Sequence, residues 1–216
     1  THGLIVRVLD DFSTGLRSNL DGLPVEIVEG SLTDVGKVEL AVSGMDTVVH
    51  LAARGSVPRS IRNPRATHEV NATGTFNVLE AARRTGASVV FASSSSVYGA
   101  NPALPKREDM WTAPLTPYAA SKLSAEGYVQ AYGQSYGLSV LAFRFFNVFG
   151  PWQRPDHDYA AVIPKWIWTA LAGGQITVNG DGSVTRDFTY VDDVVEVLTR
   201  AVTARVTHPG PVNLAF

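Results

Sequence analysis

Residues 88–99, Ser-Val-Val-Phe-Ala-Ser-Ser-Ser-Ser-Val-Tyr-Gly, combine a short apolar run with a run of serines. The β-branched and aromatic residues of Ser88–Ala92 predict a buried strand of a parallel sheet. Catalytic groups in open α/β sheets lie where such strands end, so the serines at 93–96 are predicted to stand at a site. The alternative is a flexible serine linker, which is disfavoured because the serines continue the strand directly.

Strand-like and helix-like patterns alternate on both sides of this segment. Short apolar runs occur at Leu4–Leu9, Val25–Val28, Thr47–Leu51, Ser88–Ala92 and Ser139–Phe143. Helical patterns lie between them at Val35–Val42, His68–Arg84 and Tyr118–Tyr136. This order predicts an α/β protein in which helices cover both faces of a parallel sheet.

After Gly150 the pattern loosens into a stretch rich in proline, tryptophan and glycine. A helix is predicted near Val162–Ala172, a strand near Gln175–Val178 and a second helix near Val191–Ala204. We therefore divide the chain into residues 1–150, which carry the sheet, and residues 151–216, which begin a smaller substrate-binding part.

The composition favours an enzyme over an interaction module. The 216 residues are 45% hydrophobic and 18% charged, enough for a sizeable core. With 18 basic and 20 acidic residues the net charge is -2, which argues against nucleic acid or an anionic membrane as the main partner. No signal peptide and no apolar run near the ~20 residues of a membrane span occur. The absence of cysteine excludes disulfides and thiolate metal sites and fits a cytoplasmic protein without a metal.

Tyr118 and Lys122 stand four residues apart, downstream of the serine run. On a helix this spacing places phenol and ammonium on one face. A nearby cation stabilises phenolate, so a tyrosine with a reference pKa near ~10 becomes a usable base at neutral pH. Taken alone, the pair is a weak signal that more often marks a surface helix with a snorkelling lysine, and the serine-rich strand end upstream reverses this preference.

An acidic residue, Asp10, ends the first predicted strand and is followed by Asp11-Phe-Ser-Thr-Gly15. In a dinucleotide fold a carboxylate at the end of the second strand binds the adenosine ribose diol and repels the 2′-phosphate of NADP, which favours NAD. An acidic turn or helix cap explains the local sequence equally well. The fold also needs a glycine-rich turn roughly 20 residues earlier, and we expect that the chain starts too late to contain it.

Together these segments resemble the extended short-chain dehydrogenase/reductase family, and within it the nucleotide-sugar 4-epimerases. The resemblance rests on Asp10, Glu29–Asp34, His50–Ala53, Asn71–Thr75, the serine-rich strand end, Tyr118–Lys122, Arg144–Gly150, Gly180–Gly182 and Arg186–Phe188. It implies a Rossmann-like, doubly wound parallel sheet that binds NAD in residues 1–150, and part of a small C-terminal substrate-binding lobe in residues 151–216. The family's first strand, glycine-rich turn and last substrate-binding segment are missing, so we expect an internal fragment of a protein of roughly 300 residues.

The resemblance also implies roles for single residues. Tyr118 would take the proton from the sugar C4 hydroxyl, Lys122 would lower the pKa of Tyr118 and bind the nicotinamide ribose, and Ser94 would hydrogen-bond the reacting oxygen. The implied NAD-binding residues are Asp10, Asp11, Phe12, Ser13, Thr14, Gly15, Ser31, Leu32, Leu51, Ala52, Ala53, Asn71, Ala92, Tyr118, Lys122 and Phe145. The implied substrate-binding residues are Gly55, Ser56, Ser94, Ser95, Ser96, Tyr118, Asn147, Ala161, Val162, Val178, Gly180 and Arg186.

Two of these residues, Asn71 and Arg186, have simpler alternatives. Asn71 would order the loop beside the nicotinamide, or cap a helix. Asn147 and Arg186 would hold the nucleotide diphosphate, since a guanidinium matches phosphate oxygens, although a solvated salt bridge would also account for the arginine.

The implied reaction is the 4-epimerisation of a UDP-sugar. Deprotonation of the C4 hydroxyl accompanies hydride transfer to NAD, and hydride then returns to the other face of the 4-keto sugar. Related 4,6-dehydratases carry an Asp-Glu pair where this chain has Ser95 and Ser96, and decarboxylases of nucleotide uronic acids usually carry a glutamate at the second position. A dehydratase, a decarboxylase or a non-catalytic NAD-binding relative is the alternative.

The substrate and the assembly follow from the same resemblance. The segments Gly55–Ser60 and Tyr159–Trp166 resemble the branch that acts on UDP-GlcNAc and UDP-GalNAc, with UDP-Glc and UDP-Gal as the alternative; Pro58 and Pro164 could equally be plain turn and helix-start residues. Helices His68–Arg84 and Tyr118–Tyr136 resemble the pair that builds a homodimer in the family. The expected apolar contacts are Phe76, Leu79, Leu123 and Tyr128.

Overall fold

The computed structural model describes residues 3–155, 160–178 and 180–215. The strands are β1 (Val6–Asp10), β2 (Val25–Glu29), β3 (Thr47–His50), β4 (Ser88–Ser94), β5 (Val140–Phe145), β6 (Val148–Phe149), β7 (Thr189–Tyr190) and β8 (Pro211–Leu214). The α-helices are α1 (Val35–Val42), α2 (Val57–Arg62), α3 (Pro64–His68), α4 (Gly74–Thr85), α5 (Pro117–Tyr136), α6 (Val162–Leu171) and α7 (Val191–Thr203). A π-helical turn, Glu69–Thr73, joins α3 to α4, and 3-10 helices span Arg17–Leu20 and Ser95–Tyr98.

The main sheet has the order β3-β4-β5-β8, and all of its neighbouring strands are parallel. Strands β1 and β2 form a second parallel pair, and the short strands β6 and β7 form a third. The predicted α/β class with a parallel sheet is confirmed. The sheet takes its last strand, β8, from beyond residue 150, so the later residues contribute to the sheet as well as to the irregular region. The division of the chain at residue 150 stays a prediction.

Both faces of β4 are buried, as its apolar sequence predicted. Successive residues of a strand point to opposite faces. Val89 and Phe91 pack with Leu79 of α4 and Val129 of α5 in one cluster. Val90, between them, packs in a second cluster whose members include residues of α7. Helices therefore hold β4 from two sides and fix the position of its carboxyl end.

Strands β1 and β3 lie in separate sheets, so within the described residues each has an edge without a hydrogen-bonded neighbour. The sequence predicted this gap, because the first strand of a doubly wound sheet would pair with both. Apolar side chains on and beside these strands are correspondingly exposed, Ile5 by 87% and Val49 by 39%.

The prediction of a strand at Gln175–Val178 is wrong. The described residues there adopt no regular structure, and Ile176 and Val178 are exposed. A β-branched sequence forms a strand only where it can pair with a neighbouring strand and bury one face. This segment does neither. Tyr159, the first residue of the segment that resembles the UDP-N-acetylhexosamine branch, lies outside the described residues.

The long helix predicted at His68–Arg84 is present but contains a π turn, because α3, the π turn and α4 follow one another without a break.

Among the helices of the described residues, none has the length and apolar character of a membrane span.

Candidate active site

The serine run stands at the carboxyl end of β4, where the sequence predicted it. Ser94 begins the 3-10 helix Ser95–Tyr98, and its hydroxyl oxygen accepts hydrogen bonds from Ser96 N at 3.2 Å and from Ser96 Oγ at 2.9 Å. A hydroxyl has two acceptor lone pairs and one donor hydrogen. Because both lone pairs are engaged, the Ser94 hydrogen is left to donate elsewhere.

Helix α5 brings Tyr118 to Ser94. Its N-cap Thr116 accepts a hydrogen bond from Ala119 N at 3.2 Å, and Pro117 occupies the first helical position. Tyr118 thus lies in the first turn, and Lys122 follows one turn later, as the spacing predicted. Burial raises the pKa of the Tyr118 phenol, and the adjoining Ser94 hydroxyl opposes this effect. The three predicted catalytic residues meet at one end of the sheet.

Burial shifts Tyr118 and Lys122 toward their neutral forms. Burial raises the pKa of Tyr118, in spite of the opposite effect of Ser94. Burial also lowers the pKa of Lys122 to about 7, and the charge of Glu126 partly offsets this. The Lys122 ammonium lies 4.4 Å from the centroid of the Phe91 ring. Burial therefore has the largest effect on the pKa of Tyr118, and the lowering of that pKa by Lys122 stays a prediction.

Asn71 ties the loop after β3 to the first turn of α5. It lies inside the π turn, a feature found often at functional sites, and its side chain is fully buried. Its Oδ1 accepts from Arg54 N at 2.6 Å, and its Nδ2 donates to Ser121 Oγ at 2.9 Å. Ser121 Oγ in turn donates to the Tyr118 carbonyl at 2.8 Å. These contacts agree with a loop-ordering role, and the helix-cap alternative is wrong because Asn71 lies within a helical segment.

A buried histidine adjoins this network, and the sequence did not point to it. His50 Nε2 lies 2.8 Å from Thr75 Oγ1, and that hydroxyl donates to the Asn71 carbonyl at 2.6 Å. Since the only hydroxyl hydrogen of Thr75 is used, His50 Nε2 must be the donor in their contact. Burial, followed by the charge of Lys122, lowers the pKa of His50 to about 3. The imidazole is therefore neutral at physiological pH.

The predicted ribose site at Asp10 is a turn with an accessible carboxylate. Asp10 Oδ1 accepts from Phe12 N at 2.7 Å, and Asp11 Oδ1 accepts from Ser13 N at 2.9 Å, as the acidic-turn alternative describes. A Cβ on Gly15 would lie 3.7 and 3.8 Å from the two Asp10 carboxylate oxygens. Both are ordinary van der Waals distances, so Gly15 borders the carboxylate, and this hydrogen-bond acceptor fits the ribose diol of NAD.

The other predicted NAD-binding residues lie at the carboxyl ends of β2–β5 or in the loops after them. Leu51 and Ala52 are exposed directly after β3, while Leu32 is buried and its carbonyl accepts from Asn77 Nδ2 at 2.9 Å. Leu32 can therefore offer a ligand little more than its backbone, as the resemblance implied.

Part of the predicted substrate set lines a cavity of about 210 Å³. Asn147, Ala161 and Val162 contribute to its wall, together with Val148, Phe149, Ile163 and Phe188. Asn147 has a left-handed backbone, with φ of 28°, and its Nδ2 donates to the Asp187 carbonyl at 2.7 Å. Ser56, beside Gly55, caps α2 by accepting from Arg59 N at 3.3 Å.

Three predicted substrate residues, Val178, Gly180 and Arg186, are exposed in a segment without regular structure, and Arg186 Nη1 donates to its neighbour's carbonyl, Thr185 O, at 2.7 Å. Arg186 directly precedes Asp187, whose carbonyl accepts from Asn147, and Phe188 of the cavity wall follows. Their part in substrate binding stays a prediction.

The sequence analysis also missed a buried ion pair under α5. Arg144 Nη2 lies 2.7 Å from Glu126 Oε1, and both side chains are at most 5% exposed. An arginine inside the apolar strand β5 was the available signal, since charged residues are rarely buried without a partner.

Comparison with known proteins gives a family match over residues 1–215, to the NAD dependent epimerase/dehydratase family. The UDP-glucose 4-epimerase of Mycolicibacterium smegmatis is 39% identical over 211 residues, which are 93% of this chain and 65% of the relative. The UDP-N-acetylglucosamine 4-epimerase from Methanobrevibacter ruminantium M1, solved with UDP-N-acetylmuramic acid, is 37% identical with a TM-score of 0.91, over 97% of this chain and 68% of that one. The dTDP-glucose 4,6-dehydratase from Streptomyces venezuelae, solved with NAD and TYD, is 30% identical with a TM-score of 0.88. The match covers 98% of this chain and 67% of that one. The chain spans about half to two thirds of the length of the curated relatives it matches.

Proposed function

Because the chain belongs to the NAD dependent epimerase/dehydratase family, we propose that its protein catalyses the NAD-dependent 4-epimerisation of a UDP-sugar. The observation that carries this proposal is the meeting of Ser94, Tyr118 and Lys122 at the carboxyl end of β4, with the Ser94 hydroxyl beside the Tyr118 phenol. This is the arrangement that removal of a proton from a sugar hydroxyl requires: a phenol base, a cation and a hydroxyl that holds the reacting oxygen.

The residues of the chain supply the proton transfer. Tyr118, as phenolate, accepts the C4 hydroxyl proton and later returns it. Ser94 donates its free hydrogen to the oxygens of this site, and Lys122 contributes the positive charge that favours phenolate. Asp10, the backbone of Leu51–Ala53 and Lys122 would hold NAD. When bound, NAD supplies reversible hydride acceptance at C4, the chemistry that a 4-keto intermediate needs.

Ser95 and Ser96 favour epimerisation over dehydration. Elimination of water across C5 and C6 needs a further acid and base, and these two residues, in the 3-10 helix after Ser94, carry only hydroxyl groups. A dehydratase remains the second candidate because the family contains both activities.

We propose that UDP-GlcNAc and UDP-GalNAc interconvert at least as well as UDP-Glc and UDP-Gal. Small side chains at Ser56, Ser94 and Ser95 leave room for a 2-acetamido group, and a roomy pocket tolerates a smaller group better than a tight pocket tolerates a larger one. Assays of C4 inversion on all four sugars in the full-length protein test this. Ser95→Val, which fills the space, should lower activity on the acetylated pair more than on the other pair. Activity on the unacetylated pair alone would overturn the assignment.

We also propose a homodimer formed through α4 and α5. Phe76 and Tyr128 are 39% and 44% exposed, and their rings meet edge to face at 5.7 Å, which makes an aromatic pair on the surface of the two helices. Leu79, which we expected beside them, is fully buried in the core and cannot be such a contact. Light scattering of the full-length protein at micromolar concentration should give a dimer, and Phe76→Glu with Tyr128→Glu should weaken it. Leu40→Glu, an exposed position on α1, is the matched control. A wild-type monomer contradicts this prediction.

A further inference from the structure

A buried carboxylate follows Lys122 by one helical turn. Lys122 and Glu126 are four residues apart on α5 and only 3% and 2% exposed. Side chains at this spacing lie on the same face of a helix, with Cβ atoms about 5–6 Å apart. The catalytic spacing of Tyr118 and Lys122 is thus continued by an acidic residue inside the protein.

Glu126 is held in place from two neighbouring strands. Arg144 of β5 donates to it twice, from Nη2 to Oε1 at 2.7 Å and from Nε to Oε2 at 3.1 Å. Ser93 of β4 donates to Oε2 at 2.5 Å. A forked guanidinium contact and a third hydrogen bond fix both oxygens of the carboxylate. Its charge therefore has a fixed position relative to Lys122.

The other groups around Lys122 carry no negative charge. The Phe91 ring lies under the ammonium, and the neutral His50 ring lies 5.4 Å from Phe91, centroid to centroid. Tyr118, one turn earlier, is a phenol whose pKa burial raises. Arg144, beyond Glu126, lies over the Tyr98 ring at 4.7 Å. Among the charged and titratable groups that the structure describes here, Glu126 is the anion. A buried ammonium without an anion loses its proton readily.

We propose that Glu126 is a positioning residue of this site, which keeps Lys122 protonated beside Tyr118 and is itself held by Arg144 and Ser93. The inference rests on the proposed function only where it concerns turnover. With Glu126 in place, Lys122 keeps its proton up to a higher pH, and its positive charge favours phenolate at Tyr118. Without Glu126, Lys122 loses its proton at a lower pH, and a neutral amine beside Tyr118 no longer favours phenolate.

The protonation of Lys122 can be followed directly by NMR of the full-length protein labelled with ¹⁵N-lysine, with Lys122→Arg identifying the resonance. Glu126→Gln keeps the shape of the side chain and removes its charge. We expect the pKa of Lys122 to fall by about one unit or more, in line with the effect of a single close charge. The alkaline limb of the pH profile of kcat/KM should move to lower pH with it.

Two control variants separate charge from structure. Glu126→Asp keeps the charge, and Ser93→Ala removes one hydrogen bond to it. Both should lower thermal stability while leaving the Lys122 titration within about 0.3 units of wild type, because neither removes the carboxylate. If Glu126→Gln does not fold, because Arg144 is left uncompensated, Glu126→Gln with Arg144→Met removes both charges, a change that buried pairs often tolerate. A smaller fall in the Lys122 pKa is expected from this double variant, because the positive charge of Arg144, which opposes the ammonium, is removed together with the carboxylate.

An unchanged Lys122 titration in the folded Glu126→Gln protein, or in the double variant, overturns the inference. A lowered Lys122 pKa in a protein without epimerase activity supports the inference and contradicts the proposed function. The two failures are therefore distinguishable.

Discussion

Replacing Tyr118 with phenylalanine in the full-length protein is expected to lower turnover about 10²-fold or more while leaving nucleotide-sugar binding nearly intact. The change removes one oxygen, the atom proposed to accept the substrate proton, which adjoins the Ser94 hydroxyl. The ring stays, so the packing of the first turn of α5 is retained. Steady-state kinetics for turnover and calorimetry for UDP-sugar binding separate the two effects. Near-normal turnover would remove Tyr118 from the mechanism.

Tyr98→Phe is the matched control for this experiment. Tyr98 is also a buried phenol near the end of β4, and its hydroxyl donates to Asn213 Oδ1 at 2.7 Å. Loss of that hydrogen bond should lower the free energy of unfolding by about 1 kcal/mol. Turnover should stay near wild type, because no proton transfer is assigned to Tyr98. A loss of activity in both variants would instead mean that the lower turnover results from lower stability of the folded protein.

The parts of the site that could be predicted depend on local sequence. The strand β4 and its serine end, and the start of α5 at Thr116-Pro-Tyr118, are encoded within short windows by apolar runs and by capping residues. These windows place Ser94 and Tyr118 at one edge of the sheet. The positions of Ser94 and Tyr118 could therefore be predicted from the sequence without knowledge of tertiary contacts.

The parts that could not be predicted depend on contacts between distant segments. Asn71 bonds to Ser121, fifty residues along the chain, and Arg144 bonds to Glu126 across the contact between β5 and α5. The π turn at Asn71 is hidden because one extra residue leaves the helical pattern on either side nearly unchanged. The pKa of Tyr118 also depends on burial, which raises it and which the spacing to Lys122 does not encode.

The 216-residue chain produced by itself is expected to aggregate or unfold and to bind NAD poorly. Strands β1 and β3 lie in different sheets, and the described residues provide no strand between them. Open backbone donors and acceptors on two interior edges pair readily with other chains. The Asp10 carboxylate is present, but the described residues carry no glycine-rich turn of the kind that binds pyrophosphate.

Grafting the first strand, glycine-rich turn and helix of an epimerase relative before Thr1 should rescue both properties, since one strand would pair with β1 and β3 at once. A second graft, with the turn glycines replaced by valine, should restore a soluble, cooperatively melting protein without restoring NAD affinity, because valine side chains block the backbone approach to phosphate. Size-exclusion chromatography, thermal melting and calorimetry with NAD distinguish the three proteins. If the ungrafted chain is soluble, melts cooperatively and binds NAD at micromolar concentration, the open edges do not govern its stability and the turn does not govern its affinity.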